Sequence, residues 1–431
     1  MITVSDYIVP MSDPAAEDAA RFGPKAANQA ALGQAGLPTP GGFCLSADAY
    51  MAQVEALGLT EVAEKAVSLE FFEARPFISQ VRIAMFDSPM IDEIKEPLIQ
   101  AYRDLTGNGK MQVAVRSSSL MEDTEGSSFA GQFQTYLGIE NEEDFLTTVH
   151  ACWGALWSSR ALRYMDGKNI KATDTAMSVL VQPLVQAIAS GGGLSSTADG
   201  GMSVTATWGL GESIAQGEVV PDRYDLNEDG KLVDSQTGRK NHTIHCSHHA
   251  APITKAVDDD QVSELCLSTA QAEELGAMMK VAVKLKGGPV EIEWAMDEAG
   301  IKMLQARPLH TEPAPVPDQI WDRHPGIKGH AGGVGWGTGR ACVINCECEL
   351  GRVAPGDILV TKVAGPALSQ VLPKVAGVVA ELGGSTTHLA SLARERGIPM
   401  VLGALDATSK IPDGGQVAVD GVAGVVRWVP A

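Results

Sequence analysis

The chain has 431 residues, of which 45% are hydrophobic and 20% are charged, a composition that can bury the cores of roughly two or three globular domains. Its 53 acidic residues outnumber its 33 basic ones and give a formal net charge of −20 at pH 7. This charge argues against a nucleic-acid-binding or anionic-membrane surface. Any phosphate ligand must therefore be held by loop amides, helix N-termini and a few placed cations.

Targeting and membrane signals are not predicted either. No apolar run approaches the roughly 20 residues that span a bilayer. The opening sequence, MITVSDYIVPMSDP, lacks the basic segment and apolar core of a signal peptide. We therefore expect a soluble cytoplasmic protein without nucleic-acid or membrane partners. The seven cysteines are odd in number and scattered, which favours reduced thiols over a disulfide framework in that compartment.

The first three hundred residues mix helical patterns with short strands. Residues 113–116 and 178–182 are predicted as strands, residues 202–208 form a further apolar strand, and a hairpin ends this part near residue 308. The sequence TEPAPVPD follows at residues 311–318. Its alternating prolines favour an extended, semi-rigid connector.

After the connector the pattern is that of a compact β/α module. The predicted elements are strands at residues 356–363, 376–381 and 398–403, a helix at 388–396 and a hairpin at 416–428 broken at 421–424. A module of about a hundred residues is large enough to fold independently. We therefore assign residues 1–310 to a first domain, 311–324 to a linker and 325–431 to a second domain.

The turn GGSTTH at residues 383–388 is the strongest chemical signal. Two glycines permit a sharp turn, and Ser385, Thr386 or Thr387 can cap the helix that follows. His388 then lies in the first helical turn, where the helix dipole disfavours imidazolium and keeps the ring neutral, as a nucleophile must be. The same amides would hold a phosphoryl group on the ring. The alternative is a histidine that only packs at a polar helix start.

The hairpin before the connector brings acidic and basic residues together. If residues 298–300 form a three-residue turn whose glycine is left-handed, Glu293 lies opposite Gln305 and Glu291 opposite Arg307. All four side chains then project from one face, which suits oxygen ligation of Mg²⁺ beside a phosphate-binding arginine. A cross-strand salt bridge is the alternative. The opposite, packing face comprises Val290, Ile292, Trp294 and Leu304.

Two motifs in the second domain resemble those of a known family. The sequence GGSTTHLASLARERGIPMVLG at residues 383–403 resembles the phosphohistidine signature of the phosphoenolpyruvate synthase and pyruvate phosphate dikinase family. GDILVT at residues 356–361 resembles the strand that opens the swivelling domain of that family. The resemblance implies that His388 is phosphorylated and that its domain moves between sites. Leu389 departs from the pattern, because a small residue usually follows the histidine.

The earlier motifs are similar to the ATP-grasp-like nucleotide-binding domain of the same family. GPKAAN at residues 23–28 resembles its opening, which implies that Lys25 contacts the nucleotide phosphates; Pro24 stands where a second glycine is usual. VAVRSSS, ending a strand, carries Arg116, whose guanidinium suits bidentate phosphate binding. The resemblance implies further nucleotide contacts from Gly131 and Gln132 in a loop over the phosphates, Gln182 and Leu184 near the adenine, Glu212 in GLGE, and Arg307.

The hairpin motifs EIEW and LQARP match the metal-binding strands of the family. This implies Glu293 and Gln305 as the firmer Mg²⁺ ligands. Glu291 is a third candidate, at a position where a shorter acidic residue is common. The overall expectation is an α/β (α+β) chain, with an ATP-grasp-like domain followed by a small swivelling β/α phosphohistidine domain that uses ATP and Mg²⁺.

Two other clusters are not predicted to bind metal, because such tight spacing gives poor tetrahedral angles. Their residues are His242, His245, Cys246, His248 and His249 in one cluster, and Cys342, Cys346 and Cys348 in the other. Lys240 precedes the histidines and matches a family lysine near the nucleotide.

The sequence thus predicts an ATP-dependent phosphotransferase. By resemblance, His388 takes the pyrophosphoryl end of ATP, AMP leaves, and the β-phosphoryl group stays on the ring before transfer. The acceptor would be pyruvate-like or alcohol- or phenol-like, and would bind on a separate partner subunit or between the domains. Two alternatives remain: an ATP-grasp ligase that releases ADP, and a phosphocarrier or regulatory module acting on a partner protein.

Overall fold

The fold is that of a computed structural model, which describes residues 5–122, 129, 132–133, 135–197, 200–246, 253–309 and 319–430. The chain divides into two compact units. The first comprises Met1–Val185, Cys246–Ile253 and Lys302–Arg307, and the second comprises Gln186–His245, Thr254–Ile301 and Pro308–Ala431. The predicted connector at residues 311–318 lies outside the described residues. The domain bounds assigned from the sequence stay a prediction.

The first unit is built around an antiparallel sheet with the order β1-β2-β5-β3-β4. The strands predicted at residues 113–116 and 178–182 lie within this sheet, as parts of β3 and β5. Its strands are β1 (Ile8–Pro10), β2 (Phe43–Leu45), β3 (Val113–Ser119), β4 (Thr135–Ile139) and β5 (Met177–Pro183). Its helices are α1 (Ala19–Gln34), α2 (Ala47–Ala56), α3 (Thr60–Ser68), α4 (Phe71–Asp87), α5 (Asp92–Thr106), α6 (Glu142–Ala155) and α7 (Ser159–Asp166).

Local sequence signals set the ends of these helices. Asn141 caps α6 by accepting the N–H of Asp144 at 2.9 Å. Gly107, with φ of 60°, ends α5 in the left-handed conformation that glycine adopts without strain. Phe145 on α6 stacks on Tyr102 of α5 with ring centroids 4.4 Å apart, so these two helices share one core contact.

The next stretch of the chain forms a mainly antiparallel sheet with the order β13-β12-β6-β7-β8-β9. The predicted strand at residues 202–208 is confirmed as β7. The strands are β6 (Ala189–Leu194), β7 (Met202–Trp208), β8 (Asp222–Leu226), β9 (Leu232–Gln236), β10 (His242–His245), β11 (Ile253–Ala256), β12 (Val290–Asp297) and β13 (Gly300–Pro308). β10 and β11 pair separately. The helices are α8 (Glu212–Ala215), α9 (Asp259–Val262) and α10 (Thr269–Lys286).

The C-terminal stretch confirms the predicted β/α module. Its eight strands follow the order β14-β21-β20-β16-β17-β18-β19-β15, with β16 to β19 parallel. They are β14 (Gly326–Lys328), β15 (His330–Ala331), β16 (Trp336–Ile344), β17 (Ile358–Thr361), β18 (Gly377–Ala380), β19 (Met400–Leu402), β20 (Gln416–Asp420) and β21 (Val425–Trp428). The helices are α11 (His388–Glu395) and α12 (Ala407–Lys410).

The cysteines follow the sequence expectation only in part. Five are reduced and buried, but Cys346 and Cys348 form a disulfide. Cys346 is extended just before the 3-10 turn Glu347–Arg352, which brings the two Cα atoms to 5.3 Å, within the span of a disulfide. The expectation of a reduced thiol is therefore wrong for this pair. Within the described ranges, no helix has the length and apolarity needed to cross a membrane.

Candidate functional site

The histidine turn has the geometry that the sequence predicts. β18 leads through Gly383, whose φ of +100° requires glycine, to the start of α11. His388 is the first residue of that helix and is half-buried. Of the three candidate caps, Thr387 is the one used, since its hydroxyl accepts the N–H of Ala390 at 3.1 Å. The ring therefore lies at the positive end of a capped helix.

The glycines of this turn are needed for close packing against the loop between α8 and β8. The N–H of Gly383 donates to the carbonyl of Val219 at 2.9 Å. A Cβ on Gly384 would come within 2.6 Å of a ring carbon of Pro221. The loop that follows α8, and with it the GLGE motif, thus supports the backbone of the histidine turn.

The same turn lies on the six-stranded sheet. The hydroxyl of Thr386 is 3.0 Å from that of Thr205 on β7. A Cβ on Gly192 of β6 would come within 2.5 Å of the Thr386 side chain, so only glycine admits the turn here. Gly192 is the register partner of Thr205 on one side and of Glu293 on the other. Register partners share a face, so Glu293 lies on the face that meets the histidine turn.

Glu291 lies on that face as well, since it precedes Glu293 by two residues in β12. Its carboxylate accepts a hydrogen bond from the Arg394 guanidinium at 2.8 Å and from the Ser391 hydroxyl at 3.2 Å. Arg394 and Glu291 are each only 5% exposed in their side chains. Glu291 is therefore neutralised by a cation, and this partnership was not predicted.

The remaining hairpin residues agree with the sequence in most respects. β12 ends at Asp297 and β13 begins at Gly300, which has the positive φ of 116° expected there. Val290, Ile292 and Trp294 are fully buried, as predicted for the packing face, whereas Leu304 is only half-buried. Gln305 and Arg307 are buried.

The donor chemistry of this hairpin fits a magnesium ion. Mg²⁺ is usually held by one or two carboxylates together with phosphate oxygens and water, rather than by an all-protein cage. The carboxylate of Glu293 and the amide oxygen of Gln305 are hard donors of this kind. Among the described residues there is no group of three or more His, Cys, Asp or Glu side chains that could hold a metal.

In the first unit, Lys25 is placed by a break in α1. Gly23 has φ of 74° and interrupts the helix, so Pro24 takes the first position of the segment that follows, where proline is favoured. A Cβ on Gly23 would lie 2.8 Å from the backbone oxygen of Ser118. Lys25 reaches the carbonyl of Ser117 at 3.3 Å and forms an ion pair with Glu122, a partner that the sequence did not reveal.

Two further predicted nucleotide residues lie on neighbouring strands of the same sheet. Arg116 on β3 donates to the carbonyl of Leu304 at 3.2 Å. Gln182 on β5, the register partner of Ala114, is buried and donates to the carbonyl of Gly41 at 3.0 Å. β3 thus carries Arg116 and is also the strand that Lys25 contacts, which brings together three of the predicted residues.

Three further nucleotide candidates lie within the described residues, and one lies outside them. Gln132 is buried, and Leu184 is half-buried and donates its N–H to the carbonyl of Gln112 at 2.9 Å. Gly131 lies outside the described residues. Glu212 begins α8; burial and, to a smaller extent, the nearby Glu218 carboxylate raise its pKa.

The lysine that matches a family position lies in the interior of the fold. Lys240 is fully buried and forms an ion pair with Asp222, which also accepts the backbone N–H groups of Gly238 and Cys266, each at 2.8 Å. The neighbouring His242 contacts the Glu218 carboxylate at 3.1 Å. His248 and His249 of the same cluster lie outside the described residues.

Comparison with known proteins identifies the family to which the chain belongs. Residues 19–324 match the AMP/ATP-binding domain of pyruvate phosphate dikinase, and residues 353–424 match the mobile domain of PEP-utilising enzymes. The chain therefore belongs to the pyruvate phosphate dikinase and phosphoenolpyruvate synthase family. It combines an ATP-grasp-like nucleotide-binding domain with the mobile domain, in a family that uses ATP and Mg²⁺.

Curated relatives agree over most of the chain. It is 30% identical to the probable phosphoenolpyruvate synthase of Methanothermobacter thermautotrophicus, covering 97% of this chain and 63% of that protein. It is also 30% identical to the phosphoenolpyruvate synthase of Pyrococcus furiosus, covering 95% of this chain and 57% of that protein. The chain thus spans less than two thirds of the length of these relatives.

Proposed function

We propose that the chain is an ATP-dependent phosphotransferase that phosphorylates its own His388 and passes the phosphoryl group to an acceptor. The observation that carries the proposal is the capped start of α11 at His388, whose preceding turn contacts the sheet face that bears Glu293. Family membership supports it. The acceptor, pyruvate-like or alcohol- or phenol-like, is proposed to bind on a separate subunit.

The proposed reaction transfers the pyrophosphoryl end of ATP to His388 and then removes the outer phosphoryl group. A ring nitrogen of His388 attacks the β-phosphorus of ATP, the bond between that phosphorus and the bridging oxygen to the α-phosphate breaks, and AMP leaves. The outer phosphoryl group then passes to water or to phosphate, and the β-phosphoryl group remains on the ring until it is transferred. Lys25, Arg116 and Arg307 are proposed to neutralise the phosphate charge. Glu293 and Gln305 would hold the Mg²⁺, which supplies electrostatic stabilisation when bound.

The decisive experiment is labelling with β-³²P ATP. The wild-type protein should acquire an acid-labile, base-stable adduct, and His388→Ala should acquire none. Label that persists in His388→Ala would contradict the proposal. Chromatography of the nucleotides separates it from the ligase alternative, because the proposed chemistry releases AMP whereas an acyl-phosphate ligase releases ADP.

The metal ligands are tested separately. Glu293→Ala and Gln305→Ala should each reduce labelling by at least about tenfold while leaving the protein folded, because each removes one ligand of the ion that neutralises the phosphates. Thr60→Ala, at the start of α3, is a control away from the hairpin. Unchanged labelling at limiting Mg²⁺ would show that the proposed ligands are wrong.

Transfer to a second substrate requires movement of the histidine domain, which we propose to occur about the connector at residues 311–318. Co-purification should identify a partner subunit that accepts the phosphoryl group from phosphorylated protein. Rapid loss of label to that partner alone, without a small-molecule acceptor, would instead favour the phosphocarrier alternative.

A further inference from the structure

Helix α11 carries two side chains that bind the six-stranded sheet. Ser391 and Arg394 lie one helical turn apart and therefore on one face of the helix. Both reach the carboxylate of Glu291 on β12, at 3.2 and 2.8 Å. All three residues are buried. The helix that begins at His388 is thus attached to the sheet by a charge-assisted contact about two turns from the histidine.

Arg394 is also bonded to the histidine turn itself. Its second terminal nitrogen donates to the carbonyl of Ser385 at 2.6 Å and to that of Gly332 at 3.1 Å. One guanidinium therefore connects three features: the turn that precedes His388, the module that carries it, and the acidic strand β12. A planar guanidinium has several donors in fixed directions, which makes it suited to hold such an arrangement in register.

We propose that Arg394 and Glu291 form a latch that holds the His388 turn on the sheet, with Arg394 acting as a positioning residue for phosphorylation by ATP. The latch consists of Arg394, Ser391 and Glu291. Glu291 is then a docking partner of the helix rather than a metal ligand, which leaves Glu293 and Gln305 as the ligands. The role in phosphorylation rests on the proposed function; the role in docking does not.

Because the latch is buried, breaking it should strongly affect docking. Breaking a buried ion pair leaves an uncompensated charge, which is strongly unfavourable unless the group regains water. Here water can be regained if the module separates from the sheet. Removal of either partner should therefore shift the protein towards an undocked state. The charged groups of a buried pair within one rigid layer cannot regain water in this way.

The test measures docking without nucleotide or metal. Spin labels at Val233→Cys and Ser409→Cys, both exposed positions, report the distance between β9 and the C-terminal module. The native cysteines do not compete, because five are buried and two are disulfide-bonded. Wild-type protein should give one narrow distance distribution. Glu291→Gln and Arg394→Met should each add a second population at a different distance.

Matched variants separate positioning from misfolding. Glu291→Gln leaves the bonds from Arg394 to Ser385 and Gly332 in place, so it tests the latch without altering the histidine turn. Arg396→Met removes an exposed arginine two residues further on and should keep the wild-type distribution. Arg394→Lys retains the charge and should restore part of the docked population.

Phosphorylation gives a second measurement. At saturating ATP, Arg394→Met should label at a rate at least about tenfold below wild type, because a misplaced nucleophile loses its orientation. The dissociation constant for ATP should change less than about twofold, since the variant lies outside the proposed nucleotide contacts. Chemical phosphorylation of His388 by phosphoramidate should proceed in both proteins, because it does not require docking.

The outcomes distinguish the two proposals. If wild-type protein is not labelled by ATP, the proposed function fails, while the distance distributions still decide the latch. If Glu291→Gln keeps a single wild-type distribution yet needs more Mg²⁺ for labelling, Glu291 is a metal ligand and the latch is overturned. Identical distributions in wild type, Glu291→Gln and Arg394→Met also overturn it.

Discussion

Two buried ion pairs in the second unit have similar chemistry but different surroundings. Asp222 pairs with Lys240 and also accepts two backbone N–H groups, so its charge is satisfied by a fixed part of the fold. Glu291 pairs with Arg394 and is contacted by the Ser391 hydroxyl, both from a helix about a hundred residues later in the chain. The first pair holds one layer together, whereas the second joins a module to a sheet.

The groups that surround each carboxylate determine what its ion pair contributes. A carboxylate bonded to backbone amides of its own layer cannot lose its partner without local unfolding, so it contributes to stability. A carboxylate bonded to side chains of a separate module can exchange its partner for water when the module moves. Burial alone does not separate these cases, but the source of the hydrogen bonds does.

The largest expected effect is on the fixed pair. Lys240→Met should lower the free energy of unfolding by about 3–5 kcal/mol, because it leaves the Asp222 carboxylate buried without its cation. Urea titration measures the loss. Lys231→Met, which breaks an exposed pair with Glu273, is the control and should leave the midpoint unchanged. A small loss for Lys240→Met would show that the backbone amides alone satisfy Asp222.

A buried histidine in the C-terminal module should make stability depend on pH. Burial and, to a smaller extent, the Arg223 guanidinium lower the pKa of His330 to about 4. An unfolded histidine titrates near about 6.5, so the unfolded state binds the proton first as the pH falls. Titration of His330 therefore leaves the free energy of unfolding unchanged above about pH 6.5. It lowers that free energy progressively as the pH falls from about 6.5 to 4.

By pH 5 this loss should be about 2 kcal/mol for the single group. Thermal or urea unfolding at pH 7.5 and pH 5 measures it. His330→Asn, which cannot take up a proton, should show a correspondingly flatter dependence. Parallel curves for the two proteins would mean that His330 keeps its ordinary pKa in the fold.

Glu291→Gln should have a smaller effect on global unfolding than Lys240→Met, about 1–2 kcal/mol. Undocking lets water reach Arg394, which also keeps its two carbonyl acceptors, so the penalty is limited to the loss of docking. The same urea titration compares the two variants directly. Equal losses for both would erase the distinction between a fixed pair and a latch.

The smallest effect is expected at the helix cap. Thr387→Ala removes the hydroxyl that accepts the Ala390 N–H and should cost about 1 kcal/mol. Because the cap lies wholly within the C-terminal module, docking should be unaffected. Thr387→Ser retains the hydroxyl and is the control. A changed spin-label distance in Thr387→Ala would mean that the cap also contributes to the latch.

The sequence predicted elements whose signals are local. The strand, Gly383–Gly384 turn and helix start at His388 are determined by glycine conformation, capping and a nearby hydrophobic pattern. The apolar side of β12 was correct for the same reason. The ion pairs Lys25–Glu122 and Glu291–Arg394 were missed, because each joins residues about a hundred positions apart, which no local pattern connects. Arg394 stands within the quoted motif, yet only the fold shows where its side chain lies.

The missing side chain of Gly192 has a consequence for the balance between docked and undocked populations. A methyl group there would overlap Thr386 without altering any charge, so Gly192→Ala disfavours the docked population by steric overlap alone. Glu291→Gln acts on the same equilibrium electrostatically. Two perturbations of one two-state equilibrium cannot move it beyond full conversion, so their combination should add little once either is sufficient. A substitution at Gly192 can therefore vary the docked population independently of any charge.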